Sequence, residues 1–186
     1  QVMTHTDNRL VIEYVHEPDD WPFAFRAQQV FALDENNLTI NLDISNTGQQ
    51  SMPLGMGHHP YFPKNEHTRL TAQVGKAWYA DHEVMPIRLD EHPLAREMAQ
   101  GIDVARHALD TPFIDWAHEA QISWPDEQRK LVMTADTPFD FLIVYSPEGA
   151  PWFCAEPFGN VTGSGRTGCV AGTDCEYPLQ PDSGFV

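Results

Sequence analysis

The 186-residue chain is 41% hydrophobic and 20% charged, which is typical of one globular domain over residues 1–186, and no apolar run approaches the roughly 18 residues of a membrane-spanning helix. Its 11 basic and 27 acidic residues give a formal net charge of −16. Because so negative a surface repels phosphate backbones and anionic lipids, we expect neither nucleic acid nor membranes as partners.

The first third of the chain predicts strands separated by turns. Residues 9–15 and 23–33 are rich in strand-forming side chains, and the turn at residues 34–37 precedes a third strand at residues 38–44. In this third segment (LTINLDI), apolar and polar residues alternate strictly. The alternation places the two sets on opposite faces of a sheet.

The rest of the chain continues in the same way. Residues 120–124, 131–135 and 139–145 predict further strands, and residues 93–109 are the best candidate for a helix. Fifteen prolines and twelve glycines interrupt the chain about every ten residues, which favours an all-β sandwich over βαβ units. Three cysteines without CxxC spacing disfavour a disulfide framework, so we expect reduced thiols and a cytoplasmic location.

A first candidate site lies at residues 53–63 (PLGMGHHPYFP). In an extended segment, His59 and Tyr61 face one way and His58 faces the other, so one histidine at most is expected to enter a given cleft. Adjacent histidines more often have ordinary structural roles. A zinc site is disfavoured here, because neighbouring side chains diverge and no further ligand has suitable spacing nearby.

A second candidate site lies at residues 151–163 (PWFCAEPFGNVTG). A buried strand at residues 152–155 is predicted to end at Glu156-Pro157, since proline cannot continue the ladder. Aromatic neighbours, Trp152 among them, would partly desolvate the Glu156 carboxyl and raise its pKa toward that of a base useful at neutral pH. Taken alone, the segment is better explained by a surface glutamate beside a turn.

Three segments follow one another along nearly the whole chain. They are residues 38–46 followed by His59-Pro60-Tyr61-Phe62, residues 109–116 (LDTPFIDW) followed by 120–125 (AQISWP), and residues 153–157 (FCAEP). In this order they resemble the motifs of the aldose 1-epimerase (galactose mutarotase) family. The ordered set is more specific than any one of its motifs.

The resemblance implies a β-supersandwich of the galactose mutarotase-like type, whose concave sheet holds a monosaccharide. It implies that Glu156 acts as the base that takes the proton of the anomeric hydroxyl. His59 would act as the acid that protonates the ring oxygen, and Asp110 would hold sugar hydroxyls. Tyr61 and Trp152 are further candidates for contact with the sugar. Ring opening and reclosure require no metal and no cofactor, so we expect neither.

The family also carries an Asn-Arg pair and another histidine ahead of these motifs, and no match for them is found here. We therefore expect a fold that is incomplete on its N-terminal side. The leading hypothesis is a mutarotase acting on a free hexose such as galactose or glucose. A hexose 6-phosphate mutarotase would need a cationic pocket, and Arg129-Lys130 is the only adjacent basic pair. A non-catalytic carbohydrate-binding protein of the same fold is the alternative from another class.

Overall fold

The computed structural model describes residues 1–83 and 85–160, and the backbone of residues 168–169. The six strands predicted at residues 9–15, 23–33, 38–44, 120–124, 131–135 and 139–145 are all present, and their ends are shifted by at most two residues. In chain order the elements are β1 (Val2–His5), β2 (Arg9–His16), β3 (Phe25–Asp34), β4 (Asn37–Asn46), β5 (Met52–Pro53), β6 (Tyr61–Pro63), β7 (Arg69–Ala72), β8 (Ala77–Ala80), β9 (Pro86–Asp90), α1 (Pro93–Met98), β10 (Ile102–Asp103), β11 (Leu109–Phe113), β12 (Glu119–Trp124), β13 (Arg129–Thr134), β14 (Phe141–Ser146), β15 (Trp152–Phe158) and β16 (Gly168–Cys169).

The helix predicted at residues 93–109 is much shorter than expected. α1 begins where the His92 side chain accepts a hydrogen bond from the backbone N–H of Leu94, with proline in the first turn. It ends ahead of Gly101, whose φ of +93° lies in the left-handed region. The chain then forms β10 and a 3₁₀ turn, so the prediction was wrong beyond the first six residues. Among the described residues, no helix is long and apolar enough to cross a membrane.

The described residues fall into two compact units, of which the first contains Gln1–Leu54 and β16. Its main sheet is an antiparallel meander in the order β1-β2-β3-β4, and β5 pairs with β16. The alternation predicted for residues 38–44 is confirmed as a strand, although Leu38 remains 57% exposed. One domain over residues 1–186 stays a prediction. The side chain of Cys169 and all of Cys175 lie outside the described residues.

The second unit begins at Gly55 and consists of two antiparallel sheets around one core. The sheets have the strand orders β10-β7-β12-β13 and β6-β15-β14-β11-β8-β9. Both sheets contribute fully buried side chains to the core, which explains the alternating burial of β12 and β14. The largest fully buried side chains of the core are Phe113, Phe153, Leu70, Ile122 and Leu142 from the sheets and Met98 from α1.

Strand β15 lies between β6 and β14 and divides its side chains between the two faces of the six-stranded sheet. Phe153 and Ala155 belong to the core cluster. Trp152, Cys154 and Glu156 alternate with them and therefore lie on the opposite face, which we call the site face. A strand packed on both sides in this way holds its side chains in fixed directions.

The prediction that β15 ends at Glu156-Pro157 was wrong. The strand continues to Phe158, and Pro157 opposes Leu142 of β14. The carbonyl of Pro157 accepts a hydrogen bond from the backbone N–H of His58, so the polar groups of this residue point away from β14. The missing N–H of proline therefore costs no bond to β14, and Glu156 lies inside the strand rather than at its end.

Strand β6 is anchored where it ends. The indole N–H of Trp124 donates to the carbonyl of Pro63 at 2.9 Å. The Lys64 ammonium donates to the Ser146 hydroxyl at 3.0 Å and to the carbonyl of Pro147 at 2.7 Å. Since the segment that leads into β6 carries both candidate histidines, these bonds fix one end of the candidate site.

The packing of the second unit predicts unequal effects of the same substitution at two leucines. Leu142 of β14 is fully buried, so Leu142→Ala should lower the free energy of unfolding by about 2–5 kcal/mol. Leu131 of β13 is 38% exposed, and Leu131→Ala should cost less than about 1 kcal/mol. Urea denaturation of both variants tests this difference. Equal losses would contradict the burial described for β14.

Candidate active site

The centre of the candidate site is a histidine–glutamate pair. The His59 Nε2 and Glu156 Oε1 atoms are 3.3 Å apart, and the side chains are 47% and 4% exposed, respectively. Glu156 comes from the middle of β15, and His59 comes from the segment just before β6. The pair therefore joins a nearly inaccessible carboxyl to an imidazole that solvent can reach.

Close approach of two backbone segments brings the pair together. The backbone N–H of His58 donates to the Pro157 carbonyl at 3.0 Å, and Gly57 forms an isolated bridge with Phe158. A Cβ atom at Gly57 would lie 2.6 Å from the Phe158 ring, which is too close for any other residue without movement. The glycine thus lets the histidine segment pass directly beside β15.

The two adjacent histidines have different surroundings, in agreement with the alternation in the sequence. The His59 ring stacks on Tyr61, with centroids 5.0 Å apart and an interplanar angle of 18°. The His58 ring instead lies 5.3 Å from Phe139, and burial lowers the pKa of His58. His58 is therefore held toward its neutral form, away from the carboxyl of Glu156.

Burial dominates the electrostatics of Glu156 and raises its pKa to about 7. The neighbouring His59 opposes this effect and lowers the pKa, whereas the negative charge of Asp110 raises it further. A carboxyl in this environment is only partly ionised near neutral pH. It can therefore both accept and return a proton there, as a general base must.

Aromatic side chains line the site face next to the pair. Tyr61 is 60% exposed, and the Trp152 ring lies 4.9 Å from Tyr61 and 5.7 Å from Tyr145. Asp110 on β11 directly opposes Tyr145 and is exposed. The structure thus brings all five predicted site residues to one region of the second unit.

Two residues of this region, Cys154 and Tyr145, were not predicted as site residues from the sequence. Cys154 directly opposes Tyr61 on one side and Tyr145 on the other, and it is fully buried. Burial and the charge of Glu156 raise the pKa of the Cys154 thiol to about 11. The two-residue spacing between Cys154 and Glu156 was the available signal, because it places both on one face of a strand.

Solved structures of several bacterial proteins share this fold. One from Escherichia coli K12, provisionally assigned as an aldose 1-epimerase, has a TM-score of 0.83 and 25% identity over 94% of this chain and 64% of its own. A galactose mutarotase-like protein from Lactobacillus casei has a TM-score of 0.79 and 18% identity over 94% of this chain and 69% of its own. The chain is thus an all-β protein of the galactose mutarotase-like fold.

The family follows from the sequence match. The pattern of the aldose 1-epimerase family matches residues 1–180, and the chain belongs to this family. It is 29% identical over 168 residues to the uncharacterized Escherichia coli protein YphB, a match that covers 86% of this chain and 57% of YphB. The chain therefore spans less than two thirds of the length of the matched protein in both of these Escherichia coli comparisons.

The raised pKa of Glu156 predicts a pH-dependent stability. The carboxyl holds its proton up to a pKa of about 7 in the folded state and up to its ordinary 4.5 in the unfolded state. The stability that the protonated carboxyl contributes is therefore complete below the pKa of the unfolded state. It is lost as the pH rises through the pKa of the folded state. At about 1.4 kcal/mol per pKa unit, this shift corresponds to a gain in stability on the order of 3–4 kcal/mol for Glu156→Gln relative to wild type between about pH 4.5 and 8.

Urea denaturation of both proteins across this pH range measures the difference, since glutamine cannot titrate. Asp110→Asn provides a second comparison, because removing its negative charge should shift the transition of Glu156 to lower pH. A difference between Glu156→Gln and wild type that does not change with pH would show that the carboxyl is not desolvated.

Proposed function

We propose that the protein is an aldose 1-epimerase that interconverts the α and β anomers of a free hexose such as galactose or glucose. The observation that carries this proposal is the His59–Glu156 pair, with its 3.3 Å separation and its very unequal exposure. Anomer exchange needs one proton removed from the sugar while another is delivered. A buried base beside an accessible acid meets that requirement.

The proposed reaction moves two protons and breaks one ring bond. The Glu156 carboxylate accepts the proton of the anomeric hydroxyl, a carbonyl forms at C1, and the bond from C1 to the ring oxygen breaks. Protonated His59 donates its proton to that ring oxygen. After rotation about the bond between C1 and C2, the neutral imidazole takes the hydroxyl proton back, the oxygen attacks the other face of C1, and protonated Glu156 returns its proton.

The surroundings of the pair suit a sugar ring. The exposed ring of Tyr61 offers a flat apolar surface for the C–H face of a hexose, and Trp152 supports it from the side. The Asp110 carboxylate can accept hydrogen bonds from sugar hydroxyls. We include a cytoplasmic location in the proposal, because the thiol of Cys154 is free and the number of cysteines is odd.

The hexose 6-phosphate alternative finds little support in the second unit. Arg129 packs over the Trp124 ring at 4.1 Å and pairs with Glu127 at 2.8 Å. Both Arg129 and Lys130 belong to β13, in the sheet opposite the one that carries Glu156. This basic pair is therefore not part of a phosphate pocket beside the candidate acid and base.

A non-catalytic carbohydrate-binding protein is the remaining alternative. A binder gains nothing from desolvating a carboxyl, because burial of an ionisable group costs stability. Keeping Glu156 almost wholly buried beside His59 is easier to explain if the carboxyl exchanges protons with a substrate. Catalysis therefore explains the burial of Glu156 beside His59 better than carbohydrate binding alone does.

Polarimetry on freshly dissolved α-glucose and α-galactose tests the proposal. The wild-type protein should accelerate the approach to anomeric equilibrium, and Glu156→Gln and His59→Asn should each reduce the catalysed rate at least about a hundredfold. An exposed pair, His67 and Glu66 at 3.5 Å, offers matched controls. The Glu66→Gln and His67→Asn variants should retain the wild-type rate.

The possible outcomes separate the alternatives. Binding of a hexose without any acceleration would favour the non-catalytic protein. Near-normal activity of Glu156→Gln or His59→Asn would remove that residue from the mechanism. Acceleration restricted to hexose 6-phosphates would replace the free hexose as substrate.

A further inference from the structure

The site face holds three different metal-binding groups in one place. A ring nitrogen of His59, the Cys154 sulfur and a carboxylate oxygen of Glu156 all lie within 4.8 Å of one another. Imidazole, thiolate and carboxylate are the three ligand types that bind zinc in proteins. This set was not evident from the sequence, because His59 lies almost a hundred residues before Cys154 and Glu156.

The distances suit a tetrahedral ion. Zinc bonds of about 2.0 Å to nitrogen and oxygen and about 2.3 Å to sulfur place tetrahedral ligands roughly 3.3–3.6 Å apart. The 3.3 Å between His59 Nε2 and Glu156 Oε1 already has this value. Since the Cys154 sulfur lies within 4.8 Å of a ring nitrogen of His59 and of a carboxylate oxygen of Glu156, it has to approach them by about 1.5 Å at most.

The backbone holds the three donors in place. Cys154 and Glu156 project from the same face of β15, which is paired on both sides at Cys154. His59 is tied to this strand through the hydrogen bond between the His58 N–H and the Pro157 carbonyl. Donors on a paired strand lose little conformational freedom on binding, which favours affinity.

The charge of the region also favours a cation. Asp110 is close enough to Glu156 to affect its ionisation, and the chain as a whole carries a formal charge of −16. A divalent ion would displace the thiol proton, and the carboxyl proton where Glu156 is protonated, forming metal–sulfur and metal–oxygen bonds and releasing these protons to solvent. The partly exposed side of His59 leaves room for a fourth ligand.

We infer that His59, Cys154 and Glu156 form a binding site for a divalent cation of the zinc type, with three protein ligands and one open position. On the basis of the proposed function, a metal bound by the imidazole nitrogen and the carboxylate would prevent both groups from exchanging protons with the sugar. The ion would therefore act as a reversible inhibitor of anomer interconversion.

Cobalt(II) serves as the spectroscopic probe for this site. The full chain, freed of metal with a chelator, is titrated with Co²⁺, and a thiolate-to-cobalt charge-transfer band should appear and disappear on addition of Zn²⁺. Cys154→Ser should abolish the band. The matched control is the double variant Cys169→Ser/Cys175→Ser, which removes the other two cysteines and should keep the band.

Other variants keep the test decisive if Cys154→Ser fails to fold, as judged by circular dichroism. His59→Asn should weaken Co²⁺ binding at least about tenfold, because it removes a partly exposed ligand. His67→Asn should leave it unchanged. Absence of a charge-transfer band at millimolar Co²⁺, or a band that follows Cys169 and Cys175, would overturn the inference.

Activity measurements separate this inference from the proposed function. Saturating Zn²⁺ should slow mutarotation by the wild-type protein at least tenfold, and a chelator should restore it. A cobalt band at Cys154 in a protein without mutarotase activity would leave the metal site intact and refute the function. Normal mutarotation that Zn²⁺ does not slow, together with no cobalt band, would leave the proposed function intact and refute the metal site.

Discussion

The burial of one carboxyl group is the constraint on which the candidate site depends. Glu156 projects from a central strand into an almost inaccessible position, where a ring nitrogen of His59 lies 3.3 Å from its carboxyl oxygen. An isolated carboxylate so placed would simply stay protonated, and the imidazole is what makes its ionised form accessible. Burial and the histidine act in opposite directions on the pKa, and their balance leaves the group able to change its protonation state near neutral pH.

The fold maintains this balance through the two faces of β15. Phe153 and Ala155 fill the core between the sheets, and the residues that alternate with them form the site. Any shift of the strand that moved Glu156 toward solvent would also pull Phe153 out of the core. The hydrophobic core therefore helps to keep the Glu156 carboxyl buried on the opposite face of β15. Gly57 allows the segment that carries His59 to approach this face.

Much of the fold could be predicted because strand patterns are local. The alternation in residues 38–44 needed no tertiary information, and the opposite orientations of His58 and His59 followed from the same rule. The continuation of β15 through Pro157 could not be predicted, since it depends on which side of the strand the missing N–H would face. The full environment of Cys154 was equally hidden, because it depends on register with β6 and β14.

The same geometry that suits proton exchange also makes the site attractive to a metal. The proposed reaction needs an acid and a base side by side, with no fixed cation between them. Such a pair is also an incomplete set of metal ligands, and a third donor completes it. Whether a third metal ligand is present then depends on a single side chain, that of residue 154. At the position two residues before Glu156, an alanine would leave only the acid and the base, whereas Cys154 adds a sulfur that can bind an ion. Sensitivity to zinc would therefore be a property of Cys154 rather than of the acid–base pair itself.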